Sequence, residues 1–133
     1  MSILNRNQIL SIQDLPEKIV PVPEWKTPGS EETPNVKIRC INGLQRQVWF
    51  EAMKQVKDSV GDNDEAFAVR FRGELTPLFL SMTLVDDQGQ PIFTKEEAAL
   101  ILQKNPAVID RLFEEARDLC GMTAKEQDTL EKN

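Results

Sequence analysis

Two stretches of the chain carry apolar side chains at helical spacing. The first follows Asn42 and ends before the polar turn residues 61–64, and its apolar positions are Leu44, Val48, Ala52 and Val56, flanked by Trp49 and Met53. The second holds Val108, Ile109, Leu112, Phe113, Ala116, Leu119 and Cys120. Both patterns predict amphipathic α-helices that turn one face toward a core.

Start and stop signals delimit the helices of the C-terminal half. Thr94 and Glu97 have the spacing of a capping box, in which each side chain bonds the backbone N–H of the other residue and opens a helix. Asn105–Pro106 supplies the N-cap and first position of the next helix, and Gly121 is placed as its left-handed C-cap. A second capping box predicts a short acidic terminal helix within 122–133.

The N-terminal third is predicted to form a short helix followed by an extended hairpin. Asn5 is placed as an N-cap for a helix over 5–13. Residues 18–25 are β-branched but contain two prolines, which confines this run to the edge of a sheet. After the polar loop 26–35, apolar and basic residues alternate over 36–40, which predicts the second strand of a hairpin.

The middle segment, 67–85, leaves two readings open. Its apolar residues are spaced for a helix: Phe67, Phe71, Leu75, Leu78, Met82 and Val85. Pro77 would kink such a helix or divide it in two, because proline removes one backbone hydrogen bond. Alternatively, 79–85 enters a second hairpin with 91–93.

These elements predict a mainly α fold of the α+β class, with five to six helices and a small N-terminal β-hairpin. We expect one domain over 1–133, consisting of the helix and hairpin 1–41, a helical body 42–121 and the terminal helix 122–133. A chain of 133 residues is the size of one ordinary domain.

Composition narrows the possible functions. With 16 basic and 22 acidic residues the net charge is −6, so a phosphate backbone would be repelled, and we expect no nucleic-acid partner. The sequence lacks an apolar run of about 20 residues, so we expect no membrane association. Its first residues lack the layout of a secretory signal, and a cytosolic location is the simplest interpretation.

Candidate chemistry is sparse. The chain has no His, which rules out triads and metal sites built on imidazole. Cys40 and Cys120 are expected to be small buried hydrophobes rather than a disulfide. The acidic groups at 62–65 and 86–89 are explained by turns, because Asp and Gly accept the backbone angles of a reversal. We therefore predict no catalytic residue, no metal site and no cofactor.

Candidate partner-binding positions come from the aromatic and apolar residues. Trp25, at the start of the polar loop, could seal the hairpin or contact a partner, because aromatic residues dominate binding hot spots. Trp49 is expected in the core or at its rim. The apolar edge of the first long helix is a candidate surface for a client or for self-association. The predicted positions are Trp25, Leu44, Val48, Trp49, Ala52 and Val56.

The ordered set of these features resembles the tail assembly chaperones of long-tailed bacteriophages. The segments that carry the resemblance are Ser2–Arg6, Gln13–Pro16, Val20–Trp25, Val36–Arg39, Gly43–Leu44, Leu84–Gly89, Ile92–Thr94 and Val108–Leu119 with Gly121. Each segment is short, so their specificity lies in their order, which covers almost the whole chain.

The resemblance implies a non-enzymatic protein of the host cytoplasm. Such chaperones bind the long helical tape measure protein while tail-tube subunits polymerise around it, and they are generally absent from the finished virion. In many relatives a ribosomal frameshift adds a second domain to a minority of copies. The resemblance thus names the tape measure protein as partner, with tail-tube subunits and self-association as further possibilities.

Two other classes of function stay open at this stage. A structural tail or neck component retained in the virion would share this size and acidity. An enzyme that uses Asp or Glu with a divalent metal would need carboxylates converging from separate elements. The sequence itself shows no such constellation.

Overall fold

The computed structural model describes residues 1–122. This part contains five α-helices and a three-stranded antiparallel sheet, in agreement with the predicted mainly α fold. In chain order the elements are α1 (Arg6–Ser11), β1 (Glu17–Pro21), a 3₁₀ turn (Pro23–Trp25), β2 (Asn35–Arg39), α2 (Gly43–Val60), α3 (Asp64–Arg70), a π-type turn (Phe71–Leu75), α4 (Thr76–Thr83), β3 (Leu84–Val85), a 3₁₀-helix (Lys95–Gln103) and α5 (Pro106–Leu119). The predicted terminal helix lies outside the described residues.

Local capping fixes where the helices begin. The side chains of Asn5, Asn42 and Thr94 each accept a hydrogen bond from the N–H three residues on, and a Gln or Glu there bonds back. These capping boxes satisfy backbone N–H groups that have no partner within the helix. Asn105 caps α5 with Pro106 in its first turn, and Gly121 has a φ of +70° as predicted. α1 is shorter than predicted and ends at Ser11.

The sheet has the order β1-β2-β3, with β1 at an open edge. Backbone bonds from Cys40 N–H to the Pro16 carbonyl and from Val22 N–H to the Pro34 carbonyl flank the β1–β2 ladder. Pairing alternates along antiparallel strands, so Pro21 turns its nitrogen toward the open edge, where the missing N–H costs no ladder bond. The predicted hairpin is therefore present, and β3 extends it on the other side.

The segment 67–85 combines parts of both predicted readings. α3 passes into α4 through one wider turn, in which the N–H of Thr76 donates to the Phe71 carbonyl, five residues back. Pro77 lies in the first turn of α4, and the wider turn accommodates a residue that lacks an N–H and crowds the carbonyl before it. The prediction that the helical stripe continues to Val85 is wrong, because Leu84–Val85 pairs with β2.

The turn after β3 uses the acidic residues at 86–89 as predicted. The Asp86 side chain accepts from the N–H groups of Gln88 and Gln90, and Gly89 has a φ of +81°. These two bonds lower the pKa of Asp86, because they stabilise its charged form. A bridge between Val85 and Pro91 closes the turn, so the chain returns alongside β3 before the 3₁₀-helix.

Aromatic packing joins the helices in the core. The Trp49 ring lies 4.8 Å from the Phe79 ring, 6.0 Å from Phe71 and 6.5 Å from Phe113, measured between centroids. These four residues come from α2, the π-type turn, α4 and α5. Such edge and tilted contacts add to the burial of large apolar area, so this cluster ties the helical body together.

Ion pairs hold α5 against the first strand and the turn that follows it. Arg111 on α5 donates to both carboxylate oxygens of Glu24, at 2.7 and 2.9 Å, and Glu115 pairs with Lys18 on β1. The Arg111 guanidinium lowers the pKa of Glu24 to about 2, because it favours the carboxylate form. Through these pairs α5 is fixed across the sheet.

The segment opened by Thr94 differs from the predicted α-helix. Its hydrogen bonding is of 3₁₀ type over Lys95–Gln103. In a 3₁₀-helix residues three apart lie on one line, and Ala98 and Ile101 are the positions buried here. This narrow contact line against α4 leaves Leu100 and Leu102 exposed.

Candidate functional site

An apolar groove of about 360 Å³ opens on the surface between α2, α4 and the segment before the 3₁₀-helix. We refer to it below as the groove. Its lining residues are Gln45, Val48, Leu78, Ser81, Met82, Pro91, Phe93, Thr94 and Lys95. Concave apolar surfaces with a few polar groups at the rim are the usual form of sites that receive a helix or another apolar ligand.

Helix α2 supplies the first wall because its apolar residues form two adjacent stripes. Trp49, Met53 and Val56 are buried and face the core. Val48, one position earlier than Trp49, lies on the neighbouring stripe and lines the groove. Leu44 stands one turn before Val48 and is 77% exposed, so it extends the apolar rim.

Helix α4 supplies the second wall, with Leu78 and Met82 as its apolar contributors. The Ser81 hydroxyl beside them donates to the Leu78 carbonyl at 2.6 Å, and the Gln45 amide donates to the Met82 carbonyl at 3.4 Å. Polar lining groups that are already bonded within the chain compete little for a ligand. The contact that these two walls offer is therefore mainly apolar.

The third wall is the chain that returns from the turn at Asp86. Pro91 is held by its bridge to Val85, and Phe93 is half-buried against the core. Lys95, at the start of the 3₁₀-helix, is the charged residue among the lining side chains. Phe93 lies between the turn that ends at Pro91 and the capping box that begins at Thr94, and both help to hold it at the groove.

The structure brings only some of the predicted partner-binding residues to one surface. Val48 lines the groove, Leu44 is exposed one turn before it, and Ala52 is half-buried one turn farther along α2. Trp49 is fully buried and Val56 is 4% exposed, so neither offers surface to a partner in this conformation. Trp25 is half-buried against the core on the α5 side and is not a lining residue of the groove.

Pattern analysis missed the other half of the groove. Leu78 and Met82 belong to the predicted helical stripe, but Pro91 and Phe93 come from a segment that the sequence links to no particular surface. Their convergence depends on the turn after β3, which brings the chain back alongside Leu84–Val85 at the end of α4. The sequence did offer one signal for this convergence, namely the alternative prediction that 91–93 forms a hairpin with 79–85.

The two thiols have been brought close together. Cys40 and Cys120 are both free and half-buried, and Cys40 is near enough to Cys120 to affect its titration. Burial first, and then the neighbouring Cys40 thiol, raise the pKa of Cys120 to about 12. A thiol with such a pKa is a poor nucleophile near neutral pH.

Two features are absent from the described part of the chain. Within 1–122, no group of three or more Cys, Asp or Glu side chains is arranged to hold a metal ion. Over the same range, the helices lack the length and apolar character needed to cross a bilayer.

Comparison with known protein families decides the class of the chain. The family model described as phage tail assembly chaperone matches residues 6–132. The chain belongs to this family. The match therefore confirms the resemblance to this family that the ordered motifs carry. No match was found among curated proteins or among solved structures.

Family membership gives the groove its most direct interpretation. A tail assembly chaperone has protein partners in tail assembly, and an apolar groove is the kind of surface that contacts between proteins use. The exposed Leu44 beside it adds contact area that the chaperone's own core does not use.

Proposed function

We propose that the chain binds the tape measure protein during tail assembly and keeps it soluble. The observation that carries the proposal is the family match over residues 6–132, which gives the general role in tail assembly. The groove supports the choice of client, because an apolar concave surface suits one face of an amphipathic helix. A long helical protein that exposes such faces would aggregate unless they are covered.

The mode of action in this proposal is binding without catalysis. Val48, Leu78, Met82 and Phe93 would take apolar side chains spaced three and four residues apart on the client helix. The net charge of −6 would keep the complex dispersed by repulsion between complexes. We place this activity in the host cytoplasm, with the chaperone released before the virion is complete.

Co-expression tests the proposal directly. The tape measure protein of the same phage is produced with the wild-type chain, with Val48→Asp, or with Val69→Asp. Val69 on α3 is 58% exposed and is not a groove residue, so it is a matched control. We expect the wild type and Val69→Asp to raise the soluble fraction of the client, and Val48→Asp to lose most of this effect.

Two results would contradict the proposal. One is a client that sediments equally with and without the chaperone. The other is a stoichiometric amount of this chain in purified virions, measured by mass spectrometry, which would favour a structural tail component.

A further inference from the structure

The groove is the size of a pocket for one large side chain. Its volume of about 360 Å³ lies at the lower end of the range for ligand sites. Leu78 is 8% exposed, and Val48, Met82 and Phe93 are half-buried, so the apolar walls present little free surface. A helix that approaches the groove therefore lies across its mouth and inserts one side chain. Side chains that fill such pockets carry most of the binding energy of an interface.

Most polar groups of the lining are already bonded within the chain. The Ser81 hydroxyl and the Gln45 amide donate to backbone carbonyls, and the Thr94 hydroxyl oxygen accepts from the Glu97 N–H at 3.2 Å. Lys95 is different, because it is exposed and takes part in none of the ion pairs found among residues 1–122. Its ammonium is therefore the lining group that can meet a charged ligand.

Two acidic residues follow Lys95, and neither of them lines the groove. The Glu97 carboxylate accepts from the Thr94 N–H at 2.9 Å, so the capping box holds it at the start of the 3₁₀-helix. Glu96 is exposed, and consecutive side chains of a 3₁₀-helix point about 120° apart. The charge of Lys95 thus remains available at the mouth of the groove.

We propose that the groove holds one large apolar side chain of the client helix, while Lys95 pairs with a carboxylate one turn away on that helix. This inference rests on the proposed function and adds the chemistry of the client segment. Residues three or four apart lie on the same face of a helix, so an anchor and an Asp or Glu at this spacing reach both groups together.

The charge of the whole chain makes this pairing selective. With a net charge of −6, the chain repels an acidic segment over most of its surface, and Lys95 provides attraction at the groove. Complementary charges at an interface set register and orientation more than they raise affinity. The anchor therefore supplies most of the affinity, and Lys95 decides which segment is accepted and in which direction it lies.

A peptide array identifies the segment that binds. Overlapping peptides of about 20 residues, long enough to form helices, cover the tape measure protein and the tail-tube subunit of the same phage and are probed with the labelled chain. We expect bound peptides from the tape measure protein with an Asp or Glu three or four residues from a large apolar residue. Alanine in place of the apolar residue should weaken binding by about 30-fold or more in fluorescence anisotropy.

Substitution of Lys95 tests the ion pair from the other side. Lys95→Glu should weaken binding of the same peptides by about 10-fold, because attraction becomes repulsion. Lys95→Met keeps the aliphatic length without the charge and should give an intermediate affinity. Lys104→Glu is the matched control, because Lys104 is exposed at the end of the same 3₁₀-helix and does not line the groove.

Folding does not confuse this comparison. An acidic side chain in the first turn of a helix is favourable, so Lys95→Glu should fold, and circular dichroism checks it. Exchange of the two charges gives a result that a purely structural role of Lys95 would not give. A peptide whose acidic residue is replaced by lysine should bind Lys95→Glu about as well as the original peptide binds the wild type. Raising NaCl from about 0.01 to 1 M should reduce the difference between wild type and Lys95→Glu.

The inference and the proposed function fail in different ways. Bound peptides without a nearby acid, equal binding by wild type and Lys95→Glu, or no recovery on charge exchange would overturn the inference, whatever Val48→Asp does in co-expression. A complete absence of bound peptides would overturn it as well, and the co-expression test then judges the proposed function separately. Peptides with the expected pattern that come from the tail-tube subunit alone would instead overturn the choice of the tape measure protein as client.

Discussion

The Arg39 guanidinium covers the α-carbon of Gly89, the turn residue between β3 and the third wall of the groove. A Cβ built on Gly89 would lie 2.0 Å from Nη2 of Arg39. The same arginine bonds Glu17 on β1 at 3.4 Å. The arginine of the central strand thus joins the edge strand to the turn that positions Pro91 and Phe93.

Substitution of Gly89 by alanine should therefore destabilise the protein in two ways. The φ of +81° is strained for any residue with a Cβ, at about 1–3 kcal/mol, and Arg39 must also move away. Gly29→Ala is the control, because a Cβ there, at a φ of +87°, meets no atom within 4 Å in the described part of the chain. Urea denaturation should show the larger loss for Gly89→Ala, and equal losses would refute a role for Arg39.

Truncation of Trp49 should remove the centre of the aromatic cluster. Trp49 is fully buried, and its loss leaves a cavity facing Phe71, Phe79 and Phe113. We expect Trp49→Ala to lower the free energy of unfolding by about 3–5 kcal/mol, a large part of the usual total. Circular dichroism during denaturation measures it. A loss below about 1 kcal/mol would contradict the assigned core position.

Trp49→Phe separates the packing of this side chain from its polar group. The buried indole Nε1 has no hydrogen-bond partner among the described residues. Phenylalanine keeps an aromatic ring and removes the unpaired N–H, whose burial costs about 1–3 kcal/mol. We therefore expect Trp49→Phe to be much less destabilising than Trp49→Ala in the same denaturation experiment.

The ion pair of Glu24 with Arg111 should make the stability of the protein depend on pH below about 4.5. The folded-state pKa of Glu24 is about 2, against an ordinary value of 4.5, chiefly because of its bonds with Arg111. A lowered carboxyl pKa contributes stability above the unfolded value, and this contribution is lost as the pH falls from 4.5 toward 2. The Tm difference between wild type and Glu24→Gln should be present at pH 7 and vanish near pH 2. Glu32→Gln, in the exposed loop, controls for the loss of one charge.

The Cys120 thiol should be protected from alkylation. Burial is the largest cause of its raised pKa of about 12, so its thiolate fraction near pH 8 is far below that of an ordinary thiol. In a Cys40→Ala variant the effect of the neighbouring thiol is gone and burial remains as the cause of the raised pKa. Maleimide should still label folded Cys120 more slowly than the same chain in guanidinium. Rapid labelling of the folded protein would show that the thiol is exposed.

Local signals predicted much of this fold, whereas the groove depends on contacts distant in sequence. The starts of α2 and α5 follow from Asn42 and Asn105, because a cap acts within one helical turn. The strand character of Leu84–Val85 was not decided by the sequence, since two apolar residues fit the end of a helix equally well.

The division of α2 into a buried and an exposed stripe also depends on contacts that are distant in sequence. Val48 and Trp49 are adjacent and both apolar, and periodicity alone does not tell which of them faces the core. The deciding factor is the position of Phe79 and Phe113, which approach Trp49 from other elements. The predicted set of partner-binding residues therefore mixed core positions with surface positions.

Pro21 has a consequence for how this molecule behaves in concentrated solution. Because its nitrogen faces the open edge of β1, a foreign strand that aligned there would find an interrupted row of donors. Neighbouring molecules are thereby hindered from growing a continuous β-structure onto the sheet. The open edge of β1 is in this way a poor template for the addition of a further strand.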